Sequence, residues 1–236
     1  MIINSLNSLS VNPDRPPKKV IVLLSGGLDS ATCLGLVRCT FPNAQIHAVF
    51  FDYGQTHLEE EKAKSILLAR EYCVAFHDIR LPELPGSALT DGKPVETVVG
   101  GTNIAPTFVP GRNLIFASHA AALAEVIGAE VIVTGINAID YSGYPDCRPE
   151  FVEAMQVVIK MALPSGTEHG RPIHYSAPLL YMTKVEIVKR AMTLHIDLNK
   201  THSCYFPTAK GDACHLCASC VIRDKAIAEA EGMNNT

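Results

Sequence analysis

The stretch that decides the fold reads V-I-V-L-L-S-G-G-L-D-S-A-T-C-L and covers residues 20–34. Its first five residues are apolar, as in a strand buried on both faces of a sheet, and its last four begin a helical segment. Between them, two glycines permit a tight turn that gathers backbone N–H groups, and the helix N-terminus adds about half a positive charge. Ser25 and Ser30 can donate hydroxyl hydrogens to the same place. The stretch therefore predicts a strand, a turn and a helix that together bind an oxyanion.

The turn differs from the two common phosphate-binding motifs, since it lacks the Lys of G-x-x-x-x-G-K-[ST] and the glycine spacing of G-x-G-x-x-G. S-G-G-L-D-S resembles instead the loop of the PP-loop ATP pyrophosphatase superfamily, whose members cleave ATP between the α- and β-phosphates. The resemblance implies that ATP binds here with Mg²⁺ on its phosphates, and that Asp29 has a catalytic role. The nucleotide-binding residues that it implies are Leu24, Ser25, Gly26, Gly27, Leu28, Asp29, Ser30, Ala31, Thr32, Cys33 and Leu34. The alternative is an ordinary Gly-Ser turn.

The composition is that of a globular chain of 236 residues, 47% of them hydrophobic, with a net charge of −4. This length suffices for one substantial core with a small appendage. No stretch is as long and apolar as a membrane helix, and residues 1–19 are too polar for a signal peptide, so we expect a cytoplasmic protein with no membrane partner. Because no basic tract is present, a small anionic substrate is favoured over direct binding of nucleic acid. A homodimer is compatible with the sequence.

Short apolar runs alternate with segments of helical periodicity along most of the chain, which predicts an α/β fold with a doubly wound parallel sheet. The predicted strands are 20–24, 46–51 and 131–134, and the predicted helices are 57–72, 114–128 and one that begins at the capping box Thr183-Lys184-Val185-Glu186. We expect a flexible arm over 1–17, the α/β domain over 18–200 and a zinc-binding region over 201–236. Residues 81–110, rich in Pro and Gly, predict either a binding loop or a disordered one.

Four cysteines near the C-terminus follow the spacing C-x9-C-x2-C-x2-C: Cys204, Cys214, Cys217 and Cys220. Four thiolates can surround one Zn²⁺ tetrahedrally and leave no open position for chemistry, which predicts one structural zinc per chain. A redox dithiol and an iron–sulfur cluster use similar spacings and are the alternatives. In a cytoplasmic protein the thiols are expected to bind metal rather than form disulfides.

Polar segments follow the predicted strands where a doubly wound sheet places its ligand. They are residues 52–57, 109–113 and 135–150, and the last contains D-Y-S-G-Y-P-D-C-R at 140–148. Tyrosines can stack on a planar ring, carboxylates can accept from its N–H groups, and arginine can pair with a carboxylate. This composition favours a planar heteroaromatic substrate over an ordinary polar loop.

Five motifs together resemble the 7-cyano-7-deazaguanine synthase family of the queuosine pathway. They are S-G-G-L-D-S, F-D-Y-G-Q-x-H at 51–57, V-P-G-R-N at 109–113, the segment 140–148 and the final cysteine pattern, and the match runs from Lys18 to Ala228. His215 stands where the family usually has Gly, and the first gap between cysteines is one residue longer than is common. Neither departure removes a metal ligand.

The resemblance implies an ATP-dependent ligase that converts 7-carboxy-7-deazaguanine and ammonia to the nitrile through adenylated carboxylate and amide intermediates. It implies catalytic roles for Asp29, Arg112, Asp140, Asp146 and Arg148. The substrate-binding residues that it implies are Asp52, Tyr53, Gln55, Arg112, Asn113, Asp140, Tyr144, Asp146 and Arg148. Lys184 is a weaker candidate for contact with phosphate.

Three other functions remain open. A related PP-loop enzyme could stop at the amide, or serve DNA modification or protein conjugation. A tRNA thiolase would use Cys147 as a sulfur carrier, but it needs an RNA-binding surface that the charge balance does not offer. A zinc-bearing binding module without turnover would have no use for the complete S-G-G-L-D-S loop.

Overall fold

The computed structural model describes Leu9 and residues 15–91, 104–139 and 143–232. The strands are β1 (Lys19–Leu23), β2 (Gln45–Asp52), β3 (Ala75–Arg80), β4 (Val131–Val133) and β5 (His174–Ser176). The helices are α1 (Leu28–Thr40), α2 (Leu58–Glu71), α3 (Arg112–Ile127), α4 (Pro149–Ala162), α5 (Pro164–Thr167), α6 (Lys184–Thr193) and α7 (Ala218–Ala230), with 3₁₀ turns at Pro145–Cys147 and Leu198–Lys200. Within these residues, no helix is both long and apolar enough to cross a bilayer.

The five strands form one parallel sheet in the order β3-β2-β1-β4-β5. The chain therefore winds outward from β1 to β3, then crosses back to place β4 on the other side of β1. The connections after β1 and β4 leave the sheet in opposite directions, and a crevice opens between them at the carboxyl ends of the strands. This arrangement confirms the predicted doubly wound sheet and places the loop after β1 at the crevice.

Apolar residues on both faces of the sheet explain the unbroken hydrophobic runs. Val20 and Val22 pack on one face in a cluster that α1, α2, α6 and α7 complete, while Ile21 lies in the opposite cluster with residues of α3 and α4. Successive side chains of a strand point to opposite faces, so a strand between two helical layers must be apolar throughout. Central strand β1 therefore has the sequence pattern of a doubly covered strand.

Helix α1 begins at Leu28, three residues before the predicted Ala31, and the other predicted elements lie within two residues of the observed ones. The capping box is confirmed, since the Thr183 backbone N–H donates to Glu186 Oε2 at 2.8 Å and the Glu186 N–H donates to Thr183 Oγ1 at 3.3 Å. Helix α3 ends at Gly128, whose φ of +71° is a left-handed conformation that suits glycine. The sequence analysis missed β3, β5, α4 and the short helix α5.

Two predicted flexible segments are described only in part. In the predicted N-terminal arm, Leu9 is buried against the core, and residues 1–8 and 10–14 lie outside the described part of the chain. In the predicted loop over 81–110, Leu89 and Thr107 line the cleft described below, and residues 92–103 are outside the described part. The arm and the boundaries of the three predicted regions therefore stay predictions.

Candidate active site

The S-G-G-L-D-S loop follows β1 and leads into α1 at the mouth of the crevice. Gly26 adopts a φ of +82°, and a Cβ at this position would lie 2.6 Å from the Glu61 carbonyl oxygen of α2, so only glycine fits. The Gly26 carbonyl accepts a hydrogen bond of 2.8 Å from the His202 N–H. The loop is thus held by the second helix on one side and by the C-terminal segment on the other.

Two hydroxyls of the loop converge, as predicted. Ser25 Oγ and Ser30 Oγ are 3.2 Å apart, and Ser30 Oγ also donates to the Gly27 carbonyl at 3.0 Å. Ser25, Gly27 and Ser30 line a cleft, and Gly27 precedes the first turn of α1. The turn therefore presents hydroxyls and a helix N-terminus to the same volume, as an oxyanion site requires.

Asp29 forms an ion pair that the sequence does not reveal. Both of its carboxylate oxygens accept from Lys184 Nζ at 2.8 Å, and the two side chains are only 19% and 11% exposed. Lys184 is the first residue of α6, and Asn137 holds the preceding segment by donating to the Leu179 and Met182 carbonyls at 2.8 and 2.6 Å. The fold thus brings a lysine and a carboxylate 155 residues apart to one edge of the loop.

Aromatic rings and Arg112 line another part of the cleft. Arg112 Nη1 donates to Tyr53 Oη at 3.3 Å, and its guanidinium lies 5.8 Å from the Tyr53 ring centroid and 6.0 Å from that of Phe116. Tyr144 lies in the same wall, where its hydroxyl is 2.6 Å from Thr107 Oγ1 and its ring is 5.2 Å from that of Phe108. Burial raises the pKa values of Tyr53 and Tyr144, so both phenols are neutral hydrogen-bonding groups at neutral pH.

Several predicted site residues lie behind the cleft rather than in its wall. Asp52 and Gln55 stabilise the turn after β2: Gln55 accepts from the Tyr53 N–H at 2.9 Å and donates to the Phe51 carbonyl at 3.1 Å, while Asp52 accepts from the Gly54 N–H at 3.3 Å. Ala31, Thr32, Cys33 and Leu34 are buried in α1. Gly26 belongs to the loop but does not line the cleft, Arg148 is exposed at the start of α4, and Asp140 lies outside the described residues.

Asp146 does not line the cleft but forms hydrogen bonds to Asn113, which does. Its Oδ2 accepts from the Asn113 N–H at 3.1 Å, in the first turn of α3, and its backbone carbonyl accepts from Asn113 Nδ2 at 3.1 Å. A carboxylate at this position stabilises the helix N-terminus. Asp146 is 7% exposed, and of the two residues only Asn113 lines the cleft. Asp146 therefore positions the beginning of α3 and the neighbouring Arg112.

Cys147 lies in the cleft wall but is poorly suited to nucleophilic chemistry. It is 4% exposed, and Asn113 Nδ2 donates to its Sγ at 3.4 Å. Burial, followed by the charge of Asp146, raises the pKa of the Cys147 thiol to about 12. The side chain is therefore a protonated thiol at neutral pH, whereas a nucleophilic cysteine needs the thiolate.

The four C-terminal cysteines converge, as their spacing predicts. The sulfur atoms of Cys204, Cys214, Cys217 and Cys220 all lie within 4.8 Å of one another. Cys214 Sγ accepts from the Leu216 and Cys217 N–H groups at 3.4 and 3.3 Å, a pattern that favours thiolates able to bind a metal. The cluster can hold one metal ion.

His215 shows how the chain accommodates its departure from the usual glycine. Its φ is +57°, in the left-handed region that glycine adopts most easily, and its Nδ1 lies 2.7 Å from Asp224 Oδ2. The side chain points to α7 and is not needed by the metal cluster. His202, which precedes the cluster, is buried, with its Nε2 2.9 Å from the Cys204 carbonyl.

The C-terminal region contributes cleft residues that the sequence analysis missed. Ser203, Tyr205 and Arg223 line the cleft, and Arg223 donates to Thr201 Oγ1 and Ser203 Oγ at 2.7 and 3.1 Å. The one available signal was the position of Arg223 three residues after a predicted ligand, on the same side of a helix. The four-cysteine cluster thus helps to hold residues of the C-terminal region in the wall of the cleft.

Solved structures share the fold at low sequence identity. The U34-tRNA thiolase NcsA from Methanococcus maripaludis matches with a TM-score of 0.54 and 16% identity, over 98% of this chain and 71% of that one. NMN synthetase from Francisella tularensis matches with a TM-score of 0.50 and 13% identity, over 100% of this chain and 94% of that one. These likenesses concern the fold alone and agree with the parallel sheet described above.

Sequence comparisons identify the family. A 7-cyano-7-deazaguanine synthase from Geobacter metallireducens is 44% identical over 217 residues, which cover 90% of each chain. The synthase of the same name from Rhodopirellula baltica is 40% identical and covers 98% of this chain and 96% of its own. The model of the family described as queuosine biosynthesis protein QueC matches residues 19–231. These matches confirm the resemblance seen in the five motifs, and the chain belongs to the QueC family.

Proposed function

We propose that this chain is an ATP-dependent ligase that converts 7-carboxy-7-deazaguanine and ammonia to 7-cyano-7-deazaguanine. The observation that carries the proposal is one cleft that joins the S-G-G-L-D-S loop to a wall of Tyr53, Phe116, Tyr144 and Arg112. The loop suits a polyphosphate, and the wall suits a planar ring that bears a carboxylate. Relatives at 40–44% identity over nearly the whole chain carry the name of this activity.

The reaction needs ATP because a carboxylate does not react with ammonia. Attack of a carboxylate oxygen on the α-phosphorus forms an acyl-adenylate and releases pyrophosphate, and ammonia then displaces AMP to give the amide. Attack of the amide oxygen on a second ATP gives an imidate-adenylate, and loss of a proton and AMP leaves the C≡N bond. Both adenylations place new negative charge on the departing pyrophosphate, where preorganised donors stabilise it.

We assign the phosphates of ATP to one part of the cleft and the deazapurine substrate to the other. Gly27, Ser25 and Ser30 would bind the pyrophosphate group, and Lys184, held by Asp29, adds a cation beside it. Asp29 is a carboxylate of the loop itself that could approach Mg²⁺ bound with ATP, and the metal would supply charge neutralisation there. Arg112 would pair with the substrate carboxylate, and the rings of Tyr53 and Phe116 would flank the deazapurine.

The metal of the cysteine cluster is proposed to be zinc. At a Zn–S distance of about 2.3 Å, tetrahedral geometry places the sulfur atoms about 3.8 Å apart. Cys214 Sγ and Cys220 Sγ are 4.0 Å apart, and all four sulfurs lie within 4.8 Å. In a four-iron cluster each thiolate binds a different iron atom, so the ligands stand further apart. None of the eight cysteines forms a disulfide, which fits the reducing cytoplasm as the place of the reaction.

Replacing Cys147 with serine is expected to leave nitrile formation within about threefold of the wild-type rate. The acyl-adenylate reacts with ammonia without a thiol, the Cys147 thiol is protonated, and a serine oxygen can still accept from Asn113 Nδ2. Mass spectrometry of the product measures the rate, with Cys39→Ser, at an exposed position on α1, as the control. An inactive Cys147→Ser protein that still binds ATP and the carboxylate substrate would instead support the alternative function, a tRNA thiolase with Cys147 as the sulfur carrier.

Replacing Asp146 with alanine is expected to weaken binding of 7-carboxy-7-deazaguanine by about 1.5 to 3 kcal/mol, roughly 10- to 100-fold. The loss frees Asn113 and the first turn of α3, which carries Arg112, while the loop that binds ATP stays in place. Calorimetric titration with each ligand measures both affinities. Glu150→Ala, which removes an exposed carboxylate from the first turn of α4, is the control. Equal weakening of both ligands would contradict the assignment of Asp146 to the deazapurine part of the cleft.

The function itself is tested by incubating the protein with ATP, Mg²⁺, an ammonium salt and 7-carboxy-7-deazaguanine. We expect a product with the mass of the nitrile, together with AMP and pyrophosphate. The amide as the final product would identify the relative that stops after one adenylation. Formation of ADP and phosphate would contradict the PP-loop chemistry.

A further inference from the structure

Arg223 connects the cysteine cluster to the cleft. It lies on α7, three residues after Cys220, and residues at this spacing share one side of a helix. Cys217 precedes the first turn of α7 and Cys220 lies within that turn, so the cluster fixes the beginning of the helix. Arg223 is half-buried and lines the cleft together with Ser203. The cysteine cluster and α7 therefore fix the position of Arg223 before any substrate binds.

The hydrogen-bond partners of Arg223 are neutral oxygens. Nη1 donates to Thr201 Oγ1 at 2.7 Å and Ser203 Oγ at 3.1 Å, and Nη2 donates to the Leu198 carbonyl at 2.6 Å. Over residues 15–91, 104–139 and 143–232, no carboxylate forms an ion pair with it. Neutral partners fix the orientation of a guanidinium without forming an ion pair with it, and a half-buried cation favours an anion as an additional partner.

The surroundings of Arg223 indicate which anion. Ser203 directly follows His202, whose N–H donates to the Gly26 carbonyl of the S-G-G-L-D-S loop at 2.8 Å. Burial lowers the pKa of the Arg223 guanidinium, and the charges of Asp224, Cys220 and Asp29 act in the opposite direction. Lys184, the other cation at the loop, has its charge offset by Asp29 at 2.8 Å, whereas Arg112 lies among aromatic rings. For a pyrophosphate in the loop, Arg223 is therefore a cation that no carboxylate of the described residues engages in an ion pair.

We propose that Arg223 binds the β- and γ-phosphates of ATP and the pyrophosphate that leaves, on the side of the cleft that the C-terminal region forms. The inference rests on the proposed function and deepens it by assigning a catalytic residue to the region that holds the metal. Charge on the pyrophosphate grows as the bond to the α-phosphorus breaks, so a cation at this place stabilises the transition state more than bound ATP. The metal cluster then serves catalysis indirectly, by placing Arg223.

The test compares Arg223→Gln with Arg223→Lys. Glutamine can still donate to the neutral oxygens but carries no charge, and lysine keeps the charge. Arg38→Gln is the matched control, because Arg38 also donates only to neutral oxygens, the carbonyls of Pro42, Ala44 and Tyr72, at the far end of α1. The probe is inorganic pyrophosphate with Mg²⁺, titrated by calorimetry, together with the metal content and melting temperature of each protein.

We expect Arg223→Gln to bind pyrophosphate at least about tenfold more weakly than the wild type, with Arg223→Lys and Arg38→Gln within about threefold of it. Metal content is expected to stay at one per chain. Unchanged pyrophosphate affinity in Arg223→Gln would overturn the inference. Equal loss of affinity in the glutamine and lysine variants, together with loss of metal, would also overturn it, because Arg223 would then only stabilise the metal-binding region. Because the probe needs no turnover, a wild-type protein that binds pyrophosphate but forms no nitrile contradicts only the proposed function.

Discussion

Replacing Asp29 with asparagine is expected to lower the rate of AMP and pyrophosphate formation by at least about 100-fold. The carboxylate holds Lys184 Nζ at 2.8 Å from both of its oxygens beside the phosphate loop. Asparagine has nearly the same shape but loses the charge that orients the ammonium and offsets it. Because both side chains are largely buried, loss of the Asp29 charge beside Lys184 is expected to cost about 1 to 2 kcal/mol, which lowers the melting temperature by only a few degrees.

Glu71→Gln is the matched control for this variant. Glu71 forms an ion pair of the same kind with Lys200 at 3.0 Å, but both side chains are about 40% exposed and lie outside the cleft. Its activity is expected to stay at the wild-type level. Quenched-flow detection of AMP measures both variants. Activity of Asp29→Asn within threefold of the wild type would show that the carboxylate has no part in the chemistry.

Replacing Cys214 or Cys217 with serine is expected to release the metal and lower the melting temperature by on the order of 10 °C. Cys214 Sγ accepts two backbone N–H bonds in the cluster, and Cys217 precedes the first turn of α7. Without the metal, the segment that holds Gly26 through His202 and carries Arg223 loses its anchor. We therefore expect loss of AMP formation together with loss of stability.

Elemental analysis and scanning calorimetry check this result, with Cys39→Ser as the control. Cys39 is an exposed thiol at the end of α1, and its replacement is expected to change neither metal content nor melting temperature. Zinc at one per chain in the wild type is the expected composition. Iron in that place, or a protein that is equally stable after chelation, would overturn the assignment of a structural zinc.

Local patterns in the sequence were sufficient for the fold class and for the phosphate loop. The run Val20–Leu24 is apolar because the central strand is covered on both faces, and the turn Ser25–Ser30 depends on glycine at Gly26 for steric reasons. Strand β3 was missed because it lies at the sheet edge and is only half-buried, so its sequence A-F-H-D-I-R lacks an apolar run. Strand β5 has three residues, too few for a period to be seen.

The sequence could not predict which polar residues face the ligand. Asp146 and Gln55 have the chemistry of ligand-binding side chains, yet the structure uses them to hold Asn113 and the turn at Tyr53. Conversely, Lys184 reaches Asp29 across 155 residues, and Arg223 reaches the cleft from the C-terminal helix. Such contacts follow from the order of the strands and the docking of the metal region, and neither is encoded in local spacing.

The most direct test of the proposed chemistry follows the two carboxylate oxygens of the substrate. When 7-carboxy-7-deazaguanine carries oxygen-18 at both positions, each adenylation transfers one labelled oxygen to the phosphate of AMP. We expect two AMP molecules for each nitrile, each with one oxygen-18 atom, and no label in pyrophosphate. Label in inorganic phosphate or pyrophosphate, or nitrile formed without labelled AMP, would contradict activation of the carboxylate and the amide by adenylation in this cleft.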